Sequence, residues 1–202
     1  MQSKKQMIFE LSRRKWAKFK HLWFRLFLAP RMLACGKYSY IAGSCRIDGA
    51  QFIRLGDKTV VQARGWLYCG PVDGMPGYLT IGSRCVFGYN NHIAAVRDVV
   101  IEDDVLTANN VYISDNLHEY ENVHVPIMQQ PIRFKRSVRI GSGTWIGENV
   151  CVIGANVGRN CVIGANSVVT QDVPDYSVAI GVPAKVIKQF DHDAGKWVGK
   201  KG

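Results

Sequence analysis

The stretch Val138–Val169, VRIGSGTWIGENVCVIGANVGRNCVIGANSVV, decides the fold because large aliphatic residues recur in it about every six positions. These residues are Ile140, Ile146, Val152, Val157, Ile163 and Val169, and a glycine follows most of them. A period of six is too short for a helical repeat unit and is typical of a hexapeptide β-helix. We therefore predict a coil of short strands, three units to a turn, with the aliphatic side chains pointing inward.

The same period occurs upstream of this stretch. Its members are Ile81, Phe87 and Ile93, then Ile101, Thr107 and Ile113, with Ile47 and Ile53 in an earlier, less regular coil. Cys45, Cys85 and Cys161 each stand two positions before an inward residue, so we expect small core side chains there rather than ligands. Since the six cysteines form no CxxC pair, neither a zinc ribbon nor a redox motif is predicted.

The net charge of +10 is concentrated at the N-terminus, where residues 1–34 hold nine basic residues and one acidic residue. A basic arm is therefore predicted rather than a basic domain face, and no nucleic-acid partner is expected. Apolar residues follow the helical period in this arm: Trp16, Phe19, Leu22, Trp23, Leu26 and Phe27. An amphipathic α-helix of this kind suits an anionic membrane surface, which residues 4–33 would contact, or it packs on the β-helix or on a sister subunit.

Charged residues divide the apolar N-terminal stretch into short pieces, so neither a secretory signal nor a transmembrane span is predicted. We expect a cytoplasmic protein, with contact at the inner face of the membrane through the arm. The last residues, 191–202, are expected to form a short polar tail.

One polar excursion, Tyr112–Pro131, YISDNLHEYENVHVPIMQQP, interrupts the repeat and carries two of the five histidines. The six-residue register stops after Ile113 and resumes at Val138, which predicts a loop over about residues 114–137. Loops on rigid scaffolds are where function usually lies. The excursion is therefore the first place to look for a functional site.

Two segments carry a resemblance to a known family: IGSGTWIGENV, residues 140–150, and CVIGANSVVTQDVPDYSVAIGVPAKVIK, residues 161–188. They resemble the hexapeptide-repeat sugar O-acetyltransferases of polysaccharide and lipopolysaccharide synthesis and the galactoside and maltose acetyltransferases. The resemblance covers about residues 38–190. It implies an all-β domain over residues 35–190, a left-handed parallel β-helix with a protruding catalytic loop, assembled as a homotrimer. It also implies acetyl transfer from acetyl-CoA to a sugar hydroxyl.

The resemblance assigns the general base of this reaction to His118, because the family's catalytic histidine occupies this position at the start of the excursion. An unactivated hydroxyl is a poor nucleophile, and its proton must be removed by a base that titrates near neutrality, as imidazole does. Asp115, Asn116 and Glu119 are close enough in sequence to orient the imidazole or stabilise its charged form. Of these three we expect Asp115 to do so.

Residues that contact coenzyme A are likewise implied by position in the family's motif. They are Glu148, Ala165, Thr170 and Gln171, with Lys185 and Lys188 at positions where basic side chains meet its phosphates. Gln171 stands where the family often has Lys. Trp145 either walls the acceptor or pantetheine channel or packs at a coil corner or trimer seam.

Two other classes of protein fit parts of the sequence. His92, His118 and His124 could hold a metal at a subunit boundary, as in the carbonic anhydrases on the same fold, although their spacing does not resemble that family's. No metal ligand is therefore assigned. A catalytically silent β-helix that serves as a scaffold is the other alternative.

Overall fold

A computed structural model describes residues 22–199 of the 202-residue chain. The regular structure of this part is mainly short β-strands that enter three sheets in turn, and inside the stack each strand pairs in parallel with the strand one coil before it and one coil after it. The fold is therefore a stack of three-sided coils, as the six-residue period predicts.

The strands of the first sheet are β1 (Ala34–Cys35), β4 (Ile53–Leu55), β7 (Tyr78–Ile81), β10 (Asp98–Ile101) and β15 (Val138–Ile140). The parallel strands of the second sheet are β2 (Tyr40–Ile41), β5 (Val60–Val61), β8 (Val86–Phe87), β11 (Leu106–Thr107), β16 (Trp145–Ile146), β18 (Val162–Ile163) and β20 (Ser177–Gly181). The third sheet contains β3 (Arg46–Asp48), β6 (Trp66–Cys69), β9 (His92–Ala95), β12 (Tyr112–Ser114), β17 (Cys151–Ile153) and β19 (Val168–Val169).

The core lies inside the coils and is built from the side chains that the period selects. From Ile81 to Val169, each predicted inward residue is almost completely buried, and even Thr107 is only 2% exposed. Burying one such aliphatic side chain stabilises a fold by about 1.5–3 kcal/mol. The predicted inward positions are thus confirmed, whereas Ile47 in the irregular first coils is only partly buried.

One coil corner is shorter than the others. Between Val152 and Val157 the inward residues are five positions apart, and Ala155 fills the corner with a fully buried side chain. The first sheet ends at β15 as a regular sheet, because Val157 and Val173 continue it only as isolated parallel bridges. The short step thus removes a strand and leaves the stacking of the coils intact.

The predicted small core cysteines occupy the space between coils. Cys85 and Cys161 are buried, and each Sγ lies 3.0 Å from a backbone oxygen of the next coil, that of Glu102 and of Pro174. Thr144 occupies the slot of Cys161 one coil earlier, and its hydroxyl donates to the Gly158 oxygen at 2.7 Å. Cys45 is only half-buried, in keeping with the irregular coil around it.

The N-terminal end of the stack is covered by a short helical cap. Following helical residues at Leu22 and Trp23, a π-helical segment runs over Phe24–Leu28 and a 3-10 helix over Ala29–Arg31. Phe24 is 1% exposed and packs edge-on against Tyr40, with ring centroids 5.9 Å apart. Residues 1–21 of the predicted arm lie outside the described residues, and no helix within residues 22–199 is long and apolar enough to cross a membrane.

The C-terminal end turns back on itself. After β20, strand β21 (Ala184–Asp191) runs antiparallel to β20, and β22 (Lys196–Gly199) runs antiparallel to β21. Part of the segment predicted as a polar tail, residues 191–202, is therefore a strand that extends the second sheet. The alternation of apolar and polar residues in so short a segment is too weak to indicate a strand.

Candidate active site

The predicted loop leaves the coil after β12 and returns before β15. Its base is an antiparallel pair of strands, β13 (Asn116–His118) and β14 (Ile132–Phe134), and a 3-10 helix covers Ile127–Gln129 near the tip. The excursion is thus a hairpin that projects from the corner between the third and first sheets. A hairpin fixes the direction of its side chains more closely than an irregular loop does.

Asp115 anchors this hairpin to the coil. Its fully buried carboxylate accepts hydrogen bonds from the backbone nitrogens of Val96 at 2.9 Å, Arg97 at 2.8 Å and Asp98 at 3.0 Å. Its backbone oxygen accepts from the nitrogen of Lys135 at 2.8 Å, on the returning side of the excursion. One residue therefore ties both ends of the hairpin to the preceding coil.

The expected contact between Asp115 and the His118 imidazole is not made within the chain. The carboxylate points into the turn at residues 96–98, where three consecutive amides occupy it, and its remaining side-chain partner is the amide of Asn116 at 3.0 Å. The physical reason is burial: a carboxylate removed from water needs several donors, and the turn supplies them. Asp115 is thus a positioning residue for the loop.

His118 is the last residue of β13, and its side chain is exposed. Its backbone pairs with Ile132 across the hairpin, so the imidazole is carried by a paired strand rather than by a free loop. Within residues 22–199 the ring has no hydrogen-bond partner, and Glu119 instead forms an ion pair with Arg133 at 3.2 Å. The imidazole is therefore exposed and takes no part in the hydrogen bonds of the hairpin.

His92 and His124, the other two histidines considered as metal ligands, lie on different segments from His118. The His92 ring is half-buried on the third sheet, parallel to the Trp66 indole with centroids 4.3 Å apart, and burial lowers its pKa. Its Nε2 atom is buried without a partner. His124 is exposed near the tip of the excursion. In the described part of the chain, no three side chains of the metal-binding types converge.

Glu148 and Ala165 lie at the corner between the second and third sheets, in successive coils. The Glu148 carboxylate turns back to the preceding coil, where it accepts from the backbone nitrogen of Asn109 at 3.0 Å. Ala165 is exposed and comes directly below Gly147, where a Cβ atom would lie 2.8 Å from the Ala165 nitrogen. This close stacking leaves a narrow, regular edge at the corner.

The other four predicted cofactor-binding residues are all exposed. Lys185 and Lys188 lie on β21 and pair with Ile180 and Val178 of β20, so both belong to the last strands of the second sheet. Gly181, at the end of β20, donates its backbone N–H to the Ser167 hydroxyl at 3.0 Å, which places this turn against the Ala165 corner. The structure therefore groups Ala165 and Glu148 at one corner, with β21 beside it.

Thr170 and Gln171 follow β19 and start the next corner, between the third and first sheets. Within one chain they are therefore on the opposite edge of the third sheet from Ala165. The hairpin with His118 leaves the stack at this same type of corner. A site that joins the two groups needs surfaces from two corners of the coil.

A set of residues that the sequence interpretation missed is the column of asparagines at the Ala165 corner. Asn90, Asn110, Asn149 and Asn166 occupy one position per coil, and all four have positive φ. The signal was present, since an asparagine stands at the same distance before an inward residue in each coil. Asparagine tolerates this backbone conformation better than most residues.

The hexapeptide repeat is also found by comparison with known proteins. A family described as "Hexapeptide repeat of succinyl-transferase" matches residues 78–115 and 137–171, leaving out the excursion. A probable acetyltransferase of Mycobacterium tuberculosis is 38% identical over 144 residues, which are 71% of this chain and 44% of that protein. The matched residues thus carry a hexapeptide repeat, and the sequence resembles that of acetyltransferases.

Two Escherichia coli relatives are named as O-acetyltransferases. WbbJ, a candidate lipopolysaccharide biosynthesis O-acetyl transferase, is 39% identical over 113 residues, 52% of this chain and 58% of WbbJ. The galactoside O-acetyltransferase is 37% identical over 123 residues, 57% of this chain and 59% of that enzyme. The chain thus spans between 44% and 59% of the length of these three relatives.

A solved structure shares the fold. AntD, an N-acyltransferase from Bacillus cereus in complex with dTDP and 3-hydroxybutyryl-CoA, superposes with a TM-score of 0.69 over 82% of this chain and 87% of its own. The sequences are 16% identical, so the likeness concerns the fold alone.

Proposed function

We propose that this chain transfers an acetyl group from acetyl-CoA to a hydroxyl group of a sugar, in the synthesis of a surface polysaccharide or lipopolysaccharide, with His118 as the general base. The proposal depends mainly on one observation: the exposed His118 imidazole lies on a hairpin that the hydrogen bonds of Asp115 hold to the preceding coil. The names of the sequence relatives supply the reaction class.

In the proposed reaction, His118 takes the proton of the sugar hydroxyl while the oxygen attacks the thioester carbonyl carbon. The carbon–sulfur bond then breaks, and the departing thiolate of coenzyme A takes the proton back from the imidazolium. A base placed in this way contributes about 10²–10⁴-fold to the rate. The absence of a partner for the ring within residues 22–199 agrees with a base that waits for its substrate.

The donor would lie along the corner formed by Glu148 and Ala165, with the exposed ammonium groups of Lys185 and Lys188 near its phosphates. Thr170 and Gln171 complete the proposed set. The Glu148 carboxylate is already bound to the preceding coil, so we assign its contribution to the backbone at this corner. The proposal includes a homotrimer, because the family's donor grooves lie between subunits. It also includes the left-handed coil of that family.

The trimer is supported by the separation of the two halves of the site. His118 leaves the stack between the third and first sheets, whereas Ala165 lies between the second and third. The hairpin of one subunit would then reach the donor corner of its neighbour.

The experiment is to measure coenzyme A release from acetyl-CoA with a panel of sugars, nucleotide sugars and glycans. His118→Gln is expected to lower kcat by at least 100-fold, while His124→Gln, on the same excursion, leaves it unchanged. Activity that survives in His118→Gln would refute the base. No transfer to any acceptor, together with no binding of acetyl-CoA, would remove the function and favour a scaffold.

We also propose that the N-terminal arm holds the protein at an anionic membrane surface. Four large apolar side chains of the helical cap, Leu22, Trp23, Leu26 and Phe27, are each about half exposed. The chain before them is basic, and each basic residue near such a surface contributes about 1 kcal/mol. Arg25 holds the cap to the coil, because its guanidinium donates to the Gly36 oxygen at 2.7 Å.

Co-sedimentation with vesicles tests this contact. The double variant Trp23→Ser, Phe27→Ser should lose binding to vesicles that contain anionic lipid, and neither protein should bind vesicles of phosphatidylcholine alone. Tyr38→Ser, at an exposed aromatic residue outside the cap, is the matched control. Equal sedimentation of the double variant and the wild type would refute the proposal.

A further inference from the structure

One corner of the coil carries a continuous column of side chains, one from each of five successive coils. It consists of Arg64, Asn90, Asn110, Asn149 and Asn166, whose φ values are 63°, 59°, 57°, 57° and 59°. The shared left-handed backbone turns every side chain of the column toward the same edge. The column runs along the corner between the second and third sheets and ends beside Ala165.

The column is joined by hydrogen bonds from end to end. Arg64 Nε donates to Asn90 Oδ1 at 2.8 Å, and Asn90 Nδ2 donates to Asn110 Oδ1 at 2.9 Å. Asn110 Nδ2 then donates to Asn149 Oδ1 at 3.0 Å, and Asn149 Nδ2 to Asn166 Oδ1 at 3.0 Å. Asn90, Asn110 and Asn149 therefore each accept from the coil before them and donate to the coil after them, and Asn166 accepts at the end of the column.

Two charged groups fix the direction of this chain of bonds. The Arg64 guanidinium can only donate, so the oxygen of Asn90 must face it. The Glu148 carboxylate can only accept, and Asn110 Nδ2 donates to it at 3.3 Å as well as to Asn149. Reversing any later amide would place two oxygens or two nitrogens against each other, so the oxygen of Asn166 faces back and its Nδ2 points beyond the last coil.

Asn166 Nδ2 has no acceptor within residues 22–199. A backbone carbonyl at the same corner also lacks a partner. In the coil before, the Glu148 oxygen accepts from the Asn166 nitrogen at 2.8 Å, but no nitrogen in the described chain donates to the corresponding Ala165 oxygen. The reason is that the chain turns back after Gly181 into β21 and never forms the next corner. A donor and an acceptor are therefore left side by side.

Such a pair complements a secondary amide, which offers one N–H and one C=O. The pantetheine arm of coenzyme A contains two secondary amides, whereas its nucleotide part contains none. Hydrogen bonds in a chain polarise one another, so the terminal Nδ2 is a stronger donor than an isolated amide.

We infer that the Asn166 side chain and the Ala165 carbonyl bind an amide of the pantetheine arm, the Ala165 oxygen accepting its N–H and Asn166 Nδ2 donating to its oxygen. Arg64 and Glu148 act as positioning residues, because together they keep Nδ2 turned outward. This inference rests on the proposed use of acetyl-CoA and adds Asn166 and Arg64 to the residues that recognise it.

Calorimetric titration with two ligands tests the inference on the full-length protein. Coenzyme A carries the arm, and adenosine 3′,5′-bisphosphate lacks it. Asn166→Gly removes the donor without adding charge or backbone strain, and we expect about tenfold weaker binding of coenzyme A, the typical effect of one lost hydrogen bond. Binding of the bisphosphate should not change. Asn160→Gly, at an exposed asparagine with φ 49° on another corner, is the matched control.

The role of Arg64 has its own test. In the Glu148→Gln background, Arg64→Gln leaves no charged group to fix the direction, because both new amides can accept as well as donate. Coenzyme A binding should then be about threefold weaker than in Glu148→Gln alone. Arg64→Lys in the same background, which can only donate, should restore it. Unchanged binding in Asn166→Gly, or equal weakening of both ligands, would overturn the inference while leaving the proposed function in place. Failure of the wild type to bind coenzyme A would instead overturn the function.

Discussion

The Asp115 carboxylate lies 2.9 Å from the backbone nitrogen of Val96, one coil away, and also binds the next two amides of the same turn. This contact fixes where the excursion leaves the coil. Asp115→Asn keeps the shape but removes the charge and one acceptor, so we expect the free energy of unfolding to fall by about 2 kcal/mol. Thermal unfolding followed by circular dichroism measures it.

The loop position should change along with stability in that variant. If Asp115 only positions the hairpin, kcat falls and the affinity for coenzyme A, measured calorimetrically, stays constant. Asp193→Asn, at an exposed aspartate of the C-terminal hairpin, is the control. A variant with wild-type kcat and wild-type unfolding would show that the three amides do not need the carboxylate.

His92→Phe should make the protein more stable and less sensitive to acid. Burial lowers the pKa of His92 below its usual 6.5, so the folded protein binds fewer protons there than the unfolded chain. Stability is therefore lost as pH falls through 6.5 toward the lower pKa of the folded state. Phenylalanine keeps the stack on Trp66, removes the unpartnered Nε2 atom and should add about 1 kcal/mol.

This prediction is tested by measuring the melting temperatures of the wild type and His92→Phe between pH 7.5 and 5. The two plots of melting temperature against pH should separate as the pH falls, because the melting temperature of the wild type should decrease more. The variant His124→Phe, at an exposed histidine, should follow the wild type. Parallel curves for the wild type and His92→Phe would contradict the prediction.

Three of the six thiols should resist modification in the native protein. Burial raises the pKa of Cys69 to about 12 and also raises those of Cys85 and Cys161, so little reactive thiolate forms at pH 8. A chromogenic disulfide reagent, with mass mapping of the labelled peptides, should leave these three unmodified. All six should react in denaturant, and rapid native labelling of Cys85 would show that the coils open.

Gly82→Ala should destabilise the coil, whereas Gly43→Ala should not. A Cβ at Gly82 would lie 2.7 Å from the backbone nitrogen of Asp103 in the next coil, while nothing lies within 4 Å of one at Gly43. We expect a loss of about 2 kcal/mol for the first variant and no loss for the second. Equal melting temperatures would mean that the coils can move apart at no cost.

Mixed assemblies should recover activity if the site lies between subunits. His118→Gln lacks the base, and Ala165→Trp should block the donor corner, so each alone is expected to be inactive. Co-expressed chains would form some interfaces that join an intact His118 to an intact Ala165. Recovered transfer activity in purified mixed assemblies supports the trimeric site, and none at all would place both halves in one chain.

The sequence was sufficient for the repeat because the inward side chains are fixed by local periodicity alone. Ile140 and Ile163 are buried as expected, Cys85 and Cys161 fill the small slots, and the register is broken where the hairpin begins. None of this requires knowledge of which coil lies next to which.

The partners of Asp115 could not be predicted in this way. Its hydrogen bonds reach residues 96–98, and those residues become neighbours only once the coil length and register are known. The direction of the asparagine column likewise depends on the charges of Arg64 and Glu148, whose contacts with the column exist only once the coils are stacked. The strand at Lys196–Gly199 forms because β21 offers an open edge, a tertiary cause that its polar sequence does not show.

The helical cap with Phe24 covers the N-terminal end of the stack, and the antiparallel strand β21 closes the second sheet at the other end. A parallel sheet can add another strand only through a free edge, and an uncovered edge would also accept a strand of a second molecule. Because β21 occupies the edge beside β20, whole coils can be inserted only between the cap and β20. Each inserted coil would lengthen the asparagine column by one residue and leave the terminal donor at Asn166 unchanged.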